Sequence, residues 1–264
     1  MLPSQRRQAI LHEVRTATAV SAEALARRFA VSVETIRRDL RSLQAKGLLD
    51  RVYGGATHPA GRSSEGSFAT RSVRNIDRKR AIARVATGLI EPEETIVLDV
   101  GTSALEVARA LPATFRGRVL TSSVPVAMEL AGREDIELLL CGGQVRSGDG
   151  ACSGAHAEAF FGEFYADRAF LGSGGVHPEA GLTDYYPSEV VVRRTIISHT
   201  AATYVLADSS KLGAIAVHRV CPLDQLTAII TDDQDGQNLV HELQGAGAAI
   251  VVAPAEPRSA KKAG

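Results

Sequence analysis

The sequence predicts an α/β chain of two domains: an N-terminal winged helix-turn-helix, then an open, mostly parallel α/β sheet. Three observations predict it. Residues 21–57, SAEALARRFAVSVETIRRDLRSLQAKGLLDRVYGGAT, hold two short amphipathic helices around a tight turn, followed by a hairpin-like tail. From Arg78 onward, helical and β-branched apolar segments alternate, as they do when helices cover a parallel sheet. The 264 residues suffice for one module of about 60 residues plus a domain of close to 200 with its own core.

The first of the two helices begins at Ser21, whose hydroxyl can accept from an early helical N–H, and Leu25, Ala26 and Phe29 share one face. Ala30 and Val31 make the turn. Ser32 caps the second helix, Glu34 sits near its positive end, and Ile36, Leu40 and Leu43 recur at i, i+4 and i+7. With those three facing inward, the helical period turns Glu34, Arg37, Arg38 and Arg41 outward, with Thr35 and Ser42 at the flank. Guanidinium groups can bridge phosphates or grip the O6/N7 edge of guanine, and Ser32 or Thr35 can touch a base or phosphate. The outer face therefore suits the major groove of double-stranded DNA. An ordinary solvated helix also displays charge, so the neighbouring elements carry the distinction. Gly47 stops the helix, and Gly54-Gly55 gives a hairpin turn its positive-φ freedom. Arg51 and Tyr53 complete a wing.

Formal net charge is zero, with 30 basic and 30 acidic residues, but its distribution is not even. Residues 1–60 hold ten Lys/Arg against five Asp/Glu, and the remainder carries the compensating acidic surplus. A basic end on an acidic chain is the footprint of a polyanion-binding module attached to a domain that avoids the polyanion. Cys141, Cys152 and Cys221 are odd in number and widely spaced, which argues for reduced thiols rather than a disulfide framework or zinc cluster. Neither an apolar run of about 20 residues nor a signal-peptide pattern occurs, so a cytoplasmic location without membrane association is expected. Domain limits are expected at 1–57 for the winged helix, 58–77 for a Gly-, Ser- and Arg-rich linker, 78–253 for the sheet domain and 254–264 for a disordered tail.

In the second domain, strands are expected at Thr95–Asp99, Arg118–Thr121, Ile136–Cys141, Arg168–Leu171, Thr203–Ala207, Ala228–Thr231 and Ala249–Val252. Helices are expected at Lys79–Ile90, Ala104–Leu111, Val126–Ala131, His156–Phe164, Glu189–His199 and Gln237–Gln244. Open α/β sheets bind ligands at the carboxyl ends of their strands. The first strand runs into Asp99-Val100-Gly101-Thr102-Ser103 and directly into a helix, a geometry that welcomes phosphate. Later strands end in Thr121-Ser122-Ser123, in Gly142-Gly143 followed by Arg146, in Gly172-Ser173-Gly174-Gly175, and in Asp208-Ser209-Ser210-Lys211. Singly these are turn signals; together they make one polar rim. Neither GxxxxGK(S/T) nor GxGxxG occurs, so no nucleotide cofactor is implied, and no histidine spacing implies a metal. His156, His177, His199 and His218 read as surface or capping residues.

Taken in order, ETIRRDL (34–40), RVYGGA (51–56), IARVA, LDVGTS, TSS, CGGQVR, DRAFLGSGGV, GLT and LADSSK make the chain resemble the DeoR-type transcriptional regulators over residues 5–252. That resemblance implies a sensor domain similar in fold to ribose-5-phosphate isomerases and CoA transferases, responding to a phosphorylated sugar. It implies that Gly101, Thr102 and Ser103 hold the phosphate, and that Asp99, Asp167 and Lys211 meet the sugar hydroxyls or the phosphate. Gly142, Gly143 and Arg146 would line the pocket. Ser103 stands where the family often has Thr, Ser122 where it often has Asn, and Tyr53 where it often has His.

Aldose–ketose isomerisation needs a carboxylate base and a group that polarises the carbonyl. Asp167 is followed by Arg168 and Ala169, and the KGxGG-type segment of the isomerases is missing, so the expectation is a site that binds without catalysis. The sequence thus predicts a repressor of a carbohydrate-metabolism operon, acting as a homodimer or homotetramer on a repeated or palindromic operator. An isomerase with a DNA tether, a constitutive DNA-binding protein and an activator are the alternatives it leaves open.

Overall fold

A computed structural model describes residues 3–16, 20–45, 49–52, 54–57, 65–232 and 237–254. It comprises two compact units, Met1–Gly66 and Ser67–Gly264.

The first unit runs α1 (Pro3–Thr16), β1 (Val20–Ser21), α2 (Ala22–Phe29), α3 (Val33–Ala45), β2 (Asp50–Val52) and β3 (Gly55–Thr57). Ile10 and Val14 of α1, Leu25 of α2, Ile36, Leu40 and Leu43 of α3, and Leu49 and Ala56 close a single small core. Both expected caps form: Ser21 Oγ accepts from the Ala24 N–H at 3.0 Å, and Ser32 Oγ from the Thr35 N–H at 3.2 Å. Ala30 makes the turn in the left-handed region at φ 51°. The strands form an antiparallel sheet in the order β1-β3-β2. Its glycine pair has two separate causes. Gly54 takes φ +81°, whereas a Cβ on Gly55 would stand 1.9 Å from the Val20 carbonyl oxygen. Gly47, Tyr53 and the Arg51 side chain lie outside the described residues.

The second unit begins with α4 (Phe68–Val73) and α5 (Ile76–Thr87), then β4 (Thr95–Leu98), α6 (Thr102–Ala110), β5 (Arg118–Thr121), α7 (Val124–Leu130) and β6 (Glu137–Leu140). There follow β7 (Gln144–Val145), β8 (Cys152–Ser153), α8 (Ala155–Gly162), β9 (Ala166–Leu171), β10 (Gly175–His177) and β11 (Gly181–Asp184). The chain continues through α9 (Pro187–Ser198), β12 (Thr200–Leu206), β13 (His218–Cys221), β14 (Ala228–Asp232), α10 (Gln237–Gly245) and β15 (Ile250–Ala253). The linker expected over 58–77 is therefore helical in its later part. Ser67 caps α4 by accepting from the Thr70 N–H at 3.2 Å, and Phe68 packs on the core, a contact that polar composition concealed. Residues 58–64 and 255–264, expected as linker and tail, lie outside the described residues.

Seven strands form one parallel sheet in the order β15-β14-β12-β9-β4-β5-β6. Alternate residues feed two cores, as the two-residue period of a strand requires. Val97, Leu120, Ala169, Leu171, Val205 and Ile229 meet α8, α9 and α10 on one face. Ile96, Leu98, Val119, Phe170, Leu206 and Ile230 meet α5, α6 and α7 on the other. Sequence moves outward from β4 through β5 to β6, then returns to β9 on the other side of β4. The β4/β9 boundary is thus the topological switch point, where such sheets open a crevice at their carboxyl ends.

Candidate functional site

On α3 the inward set is Ile36, Asp39, Leu40 and Leu43, while Arg37, Arg38 and Arg41 are exposed and Thr35 is half-buried. Glu34 lies 3.5 Å from Arg41 and 3.8 Å from Arg37, so one carboxylate arrays two guanidiniums along the outer face. Ser32 and Thr35 join their hydroxyls at 2.9 Å at the start of the helix. The basic footprint is narrower than the residue count implied. Arg6 is buried and gives its Nε to Asp39 at 2.6 Å, and Arg28 pairs with Glu13 at 2.8 Å.

At the switch point, Asp99 and Gly172 bind one another directly: Asp99 Oδ2 accepts from the Gly172 N–H at 2.9 Å and from Arg193 Nε at 2.6 Å. Gly172 has no room for a side chain, since a Cβ would lie 2.8 Å from the Val100 carbonyl oxygen. Arg193, supplied by α9, also pairs with Asp184 and, at 3.2 Å, with Glu189. Burial works against its charge, but Asp184, Asp99 and Glu189 outweigh burial and hold the guanidinium well above its ordinary pKa. Burial likewise favours a neutral Asp184, yet Arg193 and the backbone N–H groups of Tyr186 and Tyr185 hold it below the usual carboxylate range. Glu189 goes the other way. Burial pushes it up to about 7 against the pull of Arg193 and Arg146.

Gly101, at φ +114°, leads into the first turn of α6, where Thr102 is buried and Ser103 half-buried. Two cations converge there that sequence reasoning did not assign to the site. Lys79 Nζ donates to Thr102 Oγ1 at 2.9 Å and to the Arg71 carbonyl oxygen. Arg71 Nη1 is 3.9 Å from the point a Cβ on Gly101 would occupy, and its Nη2 is 3.5 Å from Asp149. Burial lowers Lys79 to about 8; Asp208 opposes the shift, while Lys211, Arg71 and Arg74 add to it. Arg146 binds Asp149 through Nε at 3.0 Å and Nη2 at 2.5 Å, pairs with Glu189, and stacks on Tyr186 with its Cζ 3.6 Å from the ring centroid. Lys211 reaches the Gly174 carbonyl oxygen at 3.5 Å and lies 5.9 Å from the Tyr185 ring centroid. The sequence had marked Lys79 only as a helix start. The one available signal for it and Arg71 was the run of basic residues from Arg71 to Arg80, which reads equally as a linker.

The remaining expectations divide. Ser122 is buried beside the rim, and its carbonyl accepts from the Cys152 N–H at 2.7 Å. Gly142 and Gly143 are exposed on the segment from β6 to β7, and a Cβ on Gly143 would meet the Ser153 carbonyl oxygen at 2.8 Å. Asp167 does not join the rim. It stands at the amino end of β9, and its Oδ2 accepts from the Thr95 N–H at 2.8 Å at the amino end of β4. A six-residue strand separates its two rims, so Asp167 and Gly172 fall at opposite edges of the sheet. His177 Nδ1 accepts from the N–H groups of Glu179 and Ala180 at 3.2 and 3.3 Å, a turn cap.

A winged helix with an arginine-lined α3, and a parallel sheet whose switch-point rim gathers cations around a helix amino end, together define a DNA-binding regulator carrying a sensor domain. Residues 6–60 match the family model of the DeoR-like helix-turn-helix domain, and residues 74–233 match that of the DeoR C terminal sensor domain. The chain belongs to the DeoR family of transcriptional regulators. It is 30% identical to the HTH-type transcriptional regulator GolR of Listeria innocua over 96% of this chain and 100% of that one. It is 33% identical to the regulator GlpR of Haloferax volcanii, over 95% of this chain and 98% of that one. Against the glycerol-3-phosphate regulon repressor of Escherichia coli it is 32% identical, over 88% of this chain and 92% of that one. Among solved structures, it is similar to a probable sor operon regulator from Shigella flexneri at TM-score 0.43 and 10% identity, over 64% of this chain and 90% of that one. It is also similar to ribose 5-phosphate isomerase A of Methanocaldococcus jannaschii at TM-score 0.39 and 20% identity, over 52% and 54% of the two chains.

Proposed function

We propose that this regulator represses a carbohydrate-metabolism operon and is released from its operator when a phosphorylated sugar enters the switch-point rim. The observation that carries the reading is the convergence of Lys79 and Arg71 on the Gly101–Ser103 turn, where the backbone N–H groups of α6 begin, with Arg146 joined to Arg71 through Asp149. A phosphate ester is a small metabolite group that such cations and a helix dipole favour. The glycerol-3-phosphate regulon repressor among its relatives supports a sugar or polyol phosphate as the effector class.

Binding without turnover is the second part of the reading. Asp99 and Asp184 at the switch point are both bound to Arg193, and a carboxylate held by a buried guanidinium makes a poor general base. On the DNA side, Arg37, Arg38 and Arg41, with Ser32 and Thr35 at the helix start, would enter the major groove, and Arg51 and Tyr53 would serve the wing. A regulator acting on such an operator would work in the cytoplasm. A symmetric homodimer or homotetramer would match paired half-sites.

Purified protein is expected to hold its operator fragment in a fluorescence-anisotropy assay and to release it in response to at least one member of a panel of sugar phosphates. Coupling of roughly 1–3 kcal/mol corresponds to release over a five- to 150-fold range of affinity. Conversion of any panel member to its isomer would replace the sensor reading with the enzymatic one. Operator binding indifferent to the whole panel would refute it.

A further inference from the structure

We propose that Asp149 is an internal stand-in for the effector's phosphate, occupying the rim guanidiniums until the effector displaces it. The inference rests on the sugar-phosphate reading above and deepens it. Asp149 lies between β7 and β8 and takes the fork of Arg146, Nε to Oδ1 at 3.0 Å and Nη2 to Oδ2 at 2.5 Å. Arg71 faces the same Oδ2 at 3.5 Å, and the Asp149 side chain is only 12% exposed. The Arg71 guanidinium also reaches within 3.9 Å of the Cβ position of Gly101, so one planar group spans the amino end of α6 and this carboxylate. A carboxylate and a phosphate offer a guanidinium the same two-oxygen edge. Whatever anion binds at α6 therefore competes with Asp149 for Arg71.

The exchange has a second component on Arg146. Its Nη2 contacts both Asp149 and Oε1 of the buried Glu189. When Asp149 leaves, Arg146 keeps a counter-charge, which lowers the cost of opening. Gly148 at φ +98° and Gly150 at φ +66° flank Asp149, so the backbone on either side is in a conformation that other residues resist. The Gly150 carbonyl accepts from the Val124 N–H at 3.0 Å, which ties this segment to the start of α7. Displacement of the carboxylate would thus be felt at an element that packs on α6.

Calorimetric titration of the full chain with inorganic phosphate tests this. An internal competitor reduces apparent affinity by the fraction of time that it occupies the site, so Asp149→Asn and Asp149→Ala are each expected to bind phosphate about tenfold more tightly than the native protein. Glu163→Gln, which removes one charge from an exposed position at the end of α8, should leave phosphate affinity unchanged and so controls for net charge. In the native protein, saturating phosphate should accelerate amide hydrogen exchange over residues 146–151. Equal or weaker phosphate binding by folded Asp149 variants would overturn the proposal, as would unchanged exchange in the native protein. If the native protein binds phosphate and the variants bind it no better, only the role of Asp149 falls. If none of the proteins binds phosphate, the sensor reading falls with it.

Discussion

Lys79 Nζ donates to Thr102 Oγ1 at 2.9 Å, which places a buried ammonium at the amino end of α6. Two positive features thus share one place, because the helix end is itself electropositive. Burial brings Lys79 from 10.5 to about 8, and Lys211, Arg71 and Arg74 act in the same direction. An anion bound at this helix end would oppose the effect of burial on Lys79, as Asp208 already does.

A bound phosphate should raise the Lys79 pKa, so binding near pH 8 takes up protons. Affinity is expected to fall as pH rises above about 8, and Lys79→Met should lose this dependence along with much of its affinity. Calorimetry in two buffers of different ionisation enthalpy reads the proton uptake directly. The stability of the ligand-free protein has the opposite sign. With the folded pKa near 8 and the unfolded value near 10.5, the unfolded chain holds more protons between them, so the Lys79 contribution rises through that window. A pH profile in Lys79→Met identical to the native one would refute both statements.

Arg6 and Asp39 form a buried pair in the first unit, joining α1 to the inner face of α3. Removing one member strands the other's charge, and Asp39→Ala is expected to cost about 3–5 kcal/mol. The double change Arg6→Met with Asp39→Leu should recover most of that loss. Chemical denaturation followed by far-UV circular dichroism measures both. Equal losses in the single and double variants would mean that the pair is not the source of the effect.

Arg37 and Arg41 share Glu34 on the exposed face of α3. Arg37→Ala should weaken operator binding by about 1–3 kcal/mol if it reads a base, with relaxed selectivity at one position. If it holds phosphate, the loss should be uniform over sequences and the salt slope should fall by about one. Anisotropy titrations at several salt concentrations separate the two outcomes, and unchanged affinity and slope would remove Arg37 from the interface.

The wing depends on a close backbone approach. A Cβ on Gly55 would collide with the Val20 carbonyl oxygen at 1.9 Å, and backbone cannot yield as a side chain can. Gly55→Ala is therefore expected to separate β1 from β3, destabilise the first unit by roughly 1–3 kcal/mol or more, and abolish operator binding. Gly54→Ala, with open space around it but φ +81°, should be milder. Equal operator affinity in Gly55→Ala and the native protein would show that β1 is dispensable.

Periodicity made the regular parts legible. The spacing of Ile36, Leu40 and Leu43 oriented α3 correctly, and each long strand of the sheet was visible as an apolar run bounded by small residues. Missing were α1, whose few apolar residues Ile10 and Val14 are separated by charge, and the short antiparallel strands β7, β8, β10, β11 and β13, which are too brief to show a period. Half of the rim was legible because Gly101, Thr102 and Gly172 are chain neighbours of strand ends. Arg146 and Lys211 were legible too, but the two cations nearest the helix end were not. Arg71 and Lys79 reach Gly101 and Thr102 from helices preceding the sheet, and Asp149 and Arg193 arrive from segments far along the chain. Spacing within one sequence does not encode those approaches.

Asp167 gives the most direct discrimination between the sequence reading and the geometry. It precedes Arg168, and both side chains serve the amino edge of the sheet: Asp167 accepts from the Thr95 N–H at 2.8 Å, and Arg168 pairs with Glu94 at 2.8 Å. Four residues of extended chain, about 13 Å, separate Thr95 from Asp99 at the other edge. A side chain of two carbons past Cα does not span that distance. Asp167→Asn should therefore leave phosphate affinity unchanged and cost no more than about 1 kcal/mol of stability, the ordinary value of one exposed hydrogen bond. Thr102→Val, which deletes the Lys79 partner at the carboxyl edge, should weaken phosphate binding severalfold in the same titration. A loss of affinity in Asp167→Asn comparable to that in Thr102→Val would return Asp167 to the ligand site.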